Sequence, residues 1–509
     1  MSSLNLDTAL STAASGIAAT QAQIAVLSDN IANAGVSGYT NKTLDTTTFV
    51  AGTLSIGVRT GNVARSVDLA VQQSLLTADS NVAALTVQTQ ALQAINNVQG
   101  VPGAGTNLSD GLTAVQNSFT TLLGDPSSTA DQSAVVTAAS TLATSINATA
   151  NTVQAQRNSA QAQIVTTVAN VNAALQTTQQ LTQQIVEATG AGQSTAALED
   201  ERDAALQTIS GALDVRYVKQ ADGNLTILGQ DGFSLPLDAT LSTQSATLTA
   251  NQSYASGGVM VPAITMSSGN PNVAPVDVTT KLAGGTLGEL INLRYSTLPG
   301  YTAQLDEFSD KLASRFQQQG LTLFSTGGGT VPGTTTSPST YVGFSSTIQV
   351  NPAVLAAPNL VRDGTPANAN TGGTAGFATL IDNVLNYSLG ANVSAATPAV
   401  PNTPFATTGM GPSGTLSTAF TSPPTLAGYA NLIVSGQSTD TANANANLTN
   451  AKAYQTTLSG TLSTASGVNV DQQMGLMIQL QNSYQANARI MQASQTMFTA
   501  LITAIDAVT

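Results

Sequence analysis

Cysteine and histidine are both absent from this 509-residue chain. Their absence excludes thiol nucleophiles, disulfides, imidazole general bases and ordinary zinc sites. Charge is scarce as well, at 8% of residues, where an ordinary globular protein carries roughly 25%. Fourteen Lys and Arg against 27 Asp and Glu leave a net charge of −13. So sparse and acidic a chain lacks the clustered cations that neutralise phosphates, and nucleic acid is not an expected partner. No apolar run reaches the roughly 18–20 residues of a membrane span, so no membrane role is expected. Near the N-terminus no basic segment precedes an apolar one, and the first basic residue is Lys42. A cleaved secretory leader is therefore not expected. The alternatives are a cytosolic protein or export by a route that reads no such leader.

The polarity that charge does not supply comes from neutral Ser, Thr, Asn and Gln. At roughly 100–200 residues per domain, the length predicts about three domains. From Leu4 to Ala34 apolar residues recur every seven positions. One row is Leu10, Ile17, Ile24 and Ile31, and its companion is Leu6, Ala13, Thr20 and Leu27. The C-terminus repeats the pattern with Val470, Met477, Tyr484, Met491, Phe498 and Ile505. Met474, Ala488 and Ile502 fill part of a second row that Gln481 and Gln495 interrupt. Each row predicts a helix with a seam that needs a partner. The partner is either the other terminal helix or another subunit, because periodicity does not name it.

Between the ends, helices are predicted over 68–98, around Leu112 to Leu122, over 131–188, over 195–212, over 288–323 and over 426–464. The 131–188 stretch has no Pro or Gly. As one helix it would be roughly 85 Å long, an elongated rod element. Val215 to Val218 and Leu225 to Leu228 flank Asp222-Gly223, a hairpin signal. Thr-rich alternation runs on to Asp277. From Ser325 to Pro424, Gly, Pro, Thr and Ser dominate, which predicts an outward-facing, loop-rich β-type insertion with one short helix at 377–389. The fold expected is mainly α with β insertions, elongated and multi-domain. Residues 1–60 with 465–509 form the terminal helical region. Residues 61–213, 279–325 and 425–464 form the rod. Residues 214–278 and 326–424 are the insertions.

Certain residues carry a family resemblance. The segment Ser28-Asp29-Asn30-Ile31-Ala32-Asn33-Ala34-Gly35-Val36-Ser37-Gly38-Tyr39 resembles the N-terminal motif of flagellar rod, hook and hook-associated proteins. Ser466-Gly467-Val468-Asn469-Val470-Asp471, followed by Gln479 to Arg489, resembles their C-terminal partner motif. Ala197-Leu198-Glu199-Asp200-Glu201-Arg202-Asp203-Ala204-Ala205-Leu206 and Gly284-Gly285-Thr286-Leu287-Gly288-Glu289-Leu290 are similar to the hook-associated protein 1 (FlgK) family. The resemblance does not extend over 237–278 or 325–424.

The resemblance implies a structural subunit between hook and filament. It implies export through the flagellar type III apparatus with a chaperone. The implied partners are copies of itself, hook protein and hook-associated protein 3, in an extracellular, flagellar location. No cofactor or metal is implied. The implied subunit-interface residues are Leu6, Leu10, Ile17, Ile24, Leu27, Asn30, Ile31, Asn33 and Tyr39. Their C-terminal counterparts are Val470, Met474, Met477, Tyr484, Met491, Phe498, Ile502 and Ile505.

Blander readings stand beside these. Asn30 and Asn33 suit capping and turn formation as well as a subunit contact. Glu199, Asp200, Glu201 and Asp203 are successive on one helix and point apart, which disfavours paired acid–base catalysis. Arg202 reads as a surface ion pair with Glu199. Gly372-Gly373-Thr374-Ala375-Gly376 lacks the following Lys of a phosphate loop. An enzyme is not expected. The competing classes are a hook or rod protein, which would be strand-dominated between its ends, and a Thr/Ser-rich surface adhesin, which would lack paired terminal helices.

Overall fold

The computed structural model describes residues 2–36, 38–51, 54–100, 107–253, 259–268, 270, 272–332, 340–365, 369–391 and 404–507. It is 64% helical, which removes the strand-dominated alternative. Helix α1 (Ser2–Asn33) leads into a hairpin of β1 (Lys42–Ala51) and β2 (Leu54–Arg65). Then come α2 (Leu69–Gln99), α3 (Leu108–Gly124), α4 (Thr129–Gly190) and α5 (Ala196–Ala212). Strands β3 (Val215–Lys219), β4 (Leu225–Gly229) and β5 (Ser234–Leu235) form an antiparallel sheet. Short strands at 240–242, 265–267 and 276–277 form another. Helix α6 (Gly285–Asn292) passes through a π-turn at Leu293–Thr297 into α7 (Leu298–Gln318). Three short helices follow, α8 (Pro352–Ala356), α9 (Leu360–Asp363) and α10 (Thr379–Asn383). Two long ones close the chain, α11 (Leu426–Ser466) and α12 (Val470–Asp506).

Helix α4 is the spine. Its 62 residues span about 93 Å at 1.5 Å per residue. Ser128 caps its start by accepting from the Asp131 amide, which satisfies one orphan N–H. Two cores lie along it. Val135, Leu142, Ile146 and Val153 enter the first, with Phe119, Phe308, Phe316 and Tyr429. Ile164, Val168, Val171 and Leu175 enter the second, with Leu206, Ile227, Leu287 and Leu290. Arg157 sits where the two meet, only 3% exposed. It donates to the carbonyls of Arg294, Thr249 and Gln252 at 3.1, 2.9 and 2.6 Å.

The 326–424 segment differs from the expected outward β-type insertion. Its described strand content is one two-residue strand at 349–350 and a single bridge between Met410 and Leu416. Val331, Tyr341, Phe344, Ile348, Val354, Val361, Ile381, Val384 and Phe405 pack into the first core. Buried carboxylates of α7 tie it down. Asp306 accepts from the amides of Gly343 and Ser345 at 2.7 and 2.9 Å. Glu307 accepts from the Ala406 amide at 2.7 Å and from Tyr341 Oη.

Gly284 and Gly285 both have positive φ, +70° and +58°. A Cβ on Gly285 would lie 2.3 Å from the Ala212 carbonyl carbon, so the start of α6 touches the end of α5 backbone to backbone. Gly285→Ala should cost at least the roughly 1–3 kcal/mol of a strained backbone position. Urea unfolding with an unchanged midpoint would contradict this.

Desolvation pushes Asp306 up to about 6, against hydrogen bonds from Ser345 and Gly343. Desolvation also pushes Asp310 up to about 6, against the attraction of Lys311. Between the usual carboxylate value of about 4 and 6, the folded chain holds protons that the unfolded chain has released. Stability should therefore fall as pH rises through that window. Asp310→Asn should make the slope shallower, as measured by urea midpoints between pH 4.5 and 7.

Candidate assembly interface

Helices α1 and α12 run side by side, and the side chains between them are small or polar. On α1, Ala13, Gly16, Ala19 and Thr20 are buried. A Cβ on Gly16 would sit 3.0 Å from Asn487 Nδ2, so only glycine allows this approach without displacing the amide. On α12 the inward residues are Gln473 and Ser494, both buried, with Leu480 and Asn487 half-buried between them. These four are one heptad row.

The row the pattern singled out faces elsewhere. Val470, Met474, Tyr484, Phe498, Ile502 and Ile505 are exposed, while Met477 and Met491 are half-buried. Leu476, Ile478, Ile490, Met497 and Leu501 are exposed too, with Ile478 at 59% and Met497 at 62%. On α1 the companion residues Ala13 and Thr20 turn inward. Leu10, Ile17, Ile24, Leu27 and Ile31 are half-buried. The Leu6 side chain lies outside the described residues. Most of the large apolar side chains of α12 are thus exposed among the described residues, while a mainly polar row is inside.

Asn30 is fully buried and serves inside the chain. Its Nδ2 lies 3.1 Å from Asn41 Oδ1, 2.8 Å from Lys42 O and 3.1 Å from Gln473 Oε1. Its Oδ1 accepts from Tyr39 Oη at 3.0 Å and from the Lys42 amide at 3.1 Å. One side chain therefore joins the end of α1, the start of β1 and the first turn of α12. Tyr39 is half-buried and held to Asn30, with Lys42 Nζ 4.0 Å above its ring. Desolvation, then the Asp29 and Asp200 charges, push its hydroxyl up. Asn33 donates to the Asp29 carbonyl at 2.8 Å, a local back-bond.

The β1–β2 hairpin was not anticipated. It lies along α1, where the Val58 amide donates to Ser15 Oγ at 3.1 Å. Its base carries Arg65, whose three donors reach three carboxylates of α5. Nε meets Glu199 at 2.9 Å, Nη1 meets Asp200 at 3.1 Å and Nη2 meets Asp203 at 2.7 Å. Three of the four acids expected to point apart, Glu199, Asp200 and Asp203, thus converge on one arginine. Arg202 is not their surface partner. It is 1% exposed and donates to Gly223 O at 2.8 Å, because its position on α5 faces the second core.

Residues 10–40 match the flagella basal body rod protein family model, and residues 458–504 match that of the flagellar basal body rod FlgEFG protein C-terminal region. Both ends are therefore similar to those of flagellar rod proteins. Residues 92–330 match the flagellar hook-associated protein FlgK helical domain. This middle stretch is the one whose internal motifs resemble the FlgK family. Flagellar hook-associated protein 1 of Salmonella typhimurium is 24% identical over 315 residues, 60% of this chain and 55% of that protein. Its Escherichia coli counterpart is 24% identical over 321 residues, 61% and 56%. The alignments thus span just over half the length of these curated relatives. The flagellar hook junction protein FlgK from Burkholderia pseudomallei aligns at 23% identity and a TM-score of 0.42, covering 50% of this chain and 47% of that one. No helix among the described residues is long and apolar enough to cross a membrane.

Replacing Asn30 by Ala strands several buried partners. The expected cost is about 1–3 kcal/mol of local stability. Hydrogen exchange should quicken in α1 and the start of α12 while α4 keeps its protection. Unchanged exchange in the terminal helices would show that Asn30 does not hold them.

Proposed function

We propose that this chain is a structural junction subunit that assembles with its own copies between the flagellar hook and the filament. The observation that carries the reading is the largely exposed apolar surface of α12, beside a helix that meets its mainly polar row. A 37-residue helix that exposes Met474, Ile478, Phe498, Ile502 and Ile505 needs further apolar cover. Repeated along a helical layer, side-by-side docking supplies it, and contacts of this heterologous kind propagate or close into a ring. The interface would use Val470, Met474, Met477, Tyr484, Met491, Phe498, Ile502 and Ile505 of α12. From α1 it would use Leu10, Ile17, Ile24, Leu27 and Ile31, which are half-buried, together with Leu6. Asn33 and Tyr39 would lie at its edge. Asn30 acts on it indirectly, by fixing how α1 and α12 sit together.

The partners in this reading are hook protein on one side and hook-associated protein 3 on the other. Export would run through the flagellar type III apparatus with a chaperone, and the final location would be extracellular. The domain division that goes with it keeps the terminal pair as the assembly region and α2–α7 with α11 as the rod. The role is mechanical, and no catalysis is involved.

Two substitutions test this. Ile478→Asp and Phe498→Asp change exposed positions, so the monomer should lose no more than about 0.5 kcal/mol of stability. Cells carrying either should be non-motile, with bare hooks and filament subunits leaking into the medium. Removal of residues 470–509 should give the same phenotype from a folded, soluble chain. Normal filaments on such cells would end the proposal.

A further inference from the structure

Three stretches of chain cross between the terminal body (α1, β1, β2 and α12) and the rod, at 40–42, 65–68 and 466–469. They are knotted to one another by backbone. The Asn41 amide donates to Ser466 O at 2.8 Å, the Ser66 amide to Asn41 O at 3.0 Å and the Asp68 amide to Ser466 Oγ at 3.3 Å. Such a knot joins the bodies but does not fix an angle, because a bundle of crossing strands is a pivot. Apolar packing does not fix it either. Among the described residues, neither hydrophobic core includes a side chain from α1, the hairpin or α12.

What remains is the ion cluster. Arg65, 6% exposed in its side chain, spans Glu199, Asp200 and Asp203. Thr40 Oγ1 donates to Asp200 Oδ1 at 2.6 Å, and Lys42 Nζ lies 3.2 Å from Asp200 Oδ2. On the rod side, Gln72 donates to Asp203 at 2.7 Å and Lys219 approaches it at 3.4 Å. One further tie, Ser194 Oγ to Val63 O at 2.8 Å, lies beside them. Three carboxylates on one face of α5 would repel each other without a cation among them. The planar five-donor fork of arginine fits three acceptors where an ammonium is a single point.

We propose that the grip of Arg65 on Glu199, Asp200 and Asp203 is a clamp that sets the angle of the terminal helix body on the rod. With the clamp open, the body pivots about the three crossings while α1, α12 and the rod keep their own structure.

The chain has no cysteine, so a label pair at Gln180→Cys on α4 and Gln479→Cys on α12, both exposed, reports the angle in the full-length monomer. Single-molecule energy transfer should give one narrow distance distribution. Arg65→Gln should broaden it at least about twofold, and Arg65→Lys, which keeps charge but loses the fork, should fall between. Arg216→Gln, an exposed arginine outside the cluster, should leave it unchanged. Circular dichroism should show helix content intact throughout. If Arg65→Gln fails to fold, Asp200→Asn removes the shared acceptor from the rod side and should broaden the distribution likewise. A distribution as narrow in the folded variant as in the parent would overturn the clamp. The assay needs no assembly, so it stands or falls apart from the junction role.

Discussion

The pairing of α1 with α12 is inside out, and the reading of this molecule as an assembly subunit follows from that. A solitary two-helix pair in water would put its large apolar row at the seam and its amides outside. Here Gly16 meets Asn487 and Asn30 meets Gln473, with Ala13, Ala19 and Thr20 buried on the same helix, while Ile478 and Phe498 face solvent. The small residues bring the two backbones close, and the amides fix register, as a lone polar residue does in a coiled coil. In the proposed assembly, a neighbouring copy would cover the apolar area and complete the pair.

The rod is built on the opposite plan. Helix α4 carries apolar residues on the faces that α3, α5, α6 and α7 cover, and its two cores meet at Arg157. A buried guanidinium is costly unless its donors are met. Three carbonyls from two segments, Arg294 and the 249–252 turn, meet them here, so the side chain braces the point where neither core reaches. Asp306 and Glu307 do the same for the 340–346 and 405–406 loops. The rod is rigid by apolar packing and located by a few buried polar ties, whereas the terminal body has the ties without the packing.

How much of this was readable beforehand depends on period. The helices at 69–99, 129–190, 196–212 and 426–466 follow the spacing of their apolar residues and the breaks at Gly and Pro, and they were anticipated within a few residues. The hairpin at 42–65 was not. Its β1 reads Lys42-Thr43-Leu44-Asp45-Thr46-Thr47-Thr48, with little apolar alternation, because it lies on α1 and buries little of its own. The 326–424 segment failed differently. Tyr341, Phe344, Ile348, Val354 and Val361 reach the core from turns and single helical turns, so their spacing matches neither 3.6 nor 2. At the terminal helices, seven-residue spacing marks the Val470 and Met474 rows of α12 without saying what covers them. Only the structure shows that a further row, Gln473, Leu480, Asn487 and Ser494, turns toward α1. Asn30 was legible through its motif, but its five partners come from positions as distant as Gln473. Arg65 carried no signal at all, since its three acceptors lie more than 130 residues away.

Charge placement follows from the same division. Of fourteen basic residues, Lys42, Arg65 and Lys219 contact the acids of α5 at the joint. A joint made of packed leucines would bind more strongly, because partly buried ion pairs recover little beyond their desolvation. It would also place sticky surface next to the stripe that the proposed assembly leaves open for another copy, and the two would compete. An arginine fork meeting three carboxylates has no such cross-reaction. It is directional, and an apolar helix cannot satisfy it. Polar groups at the joint can thus hold the terminal body at one angle without using the exposed apolar side chains of α12.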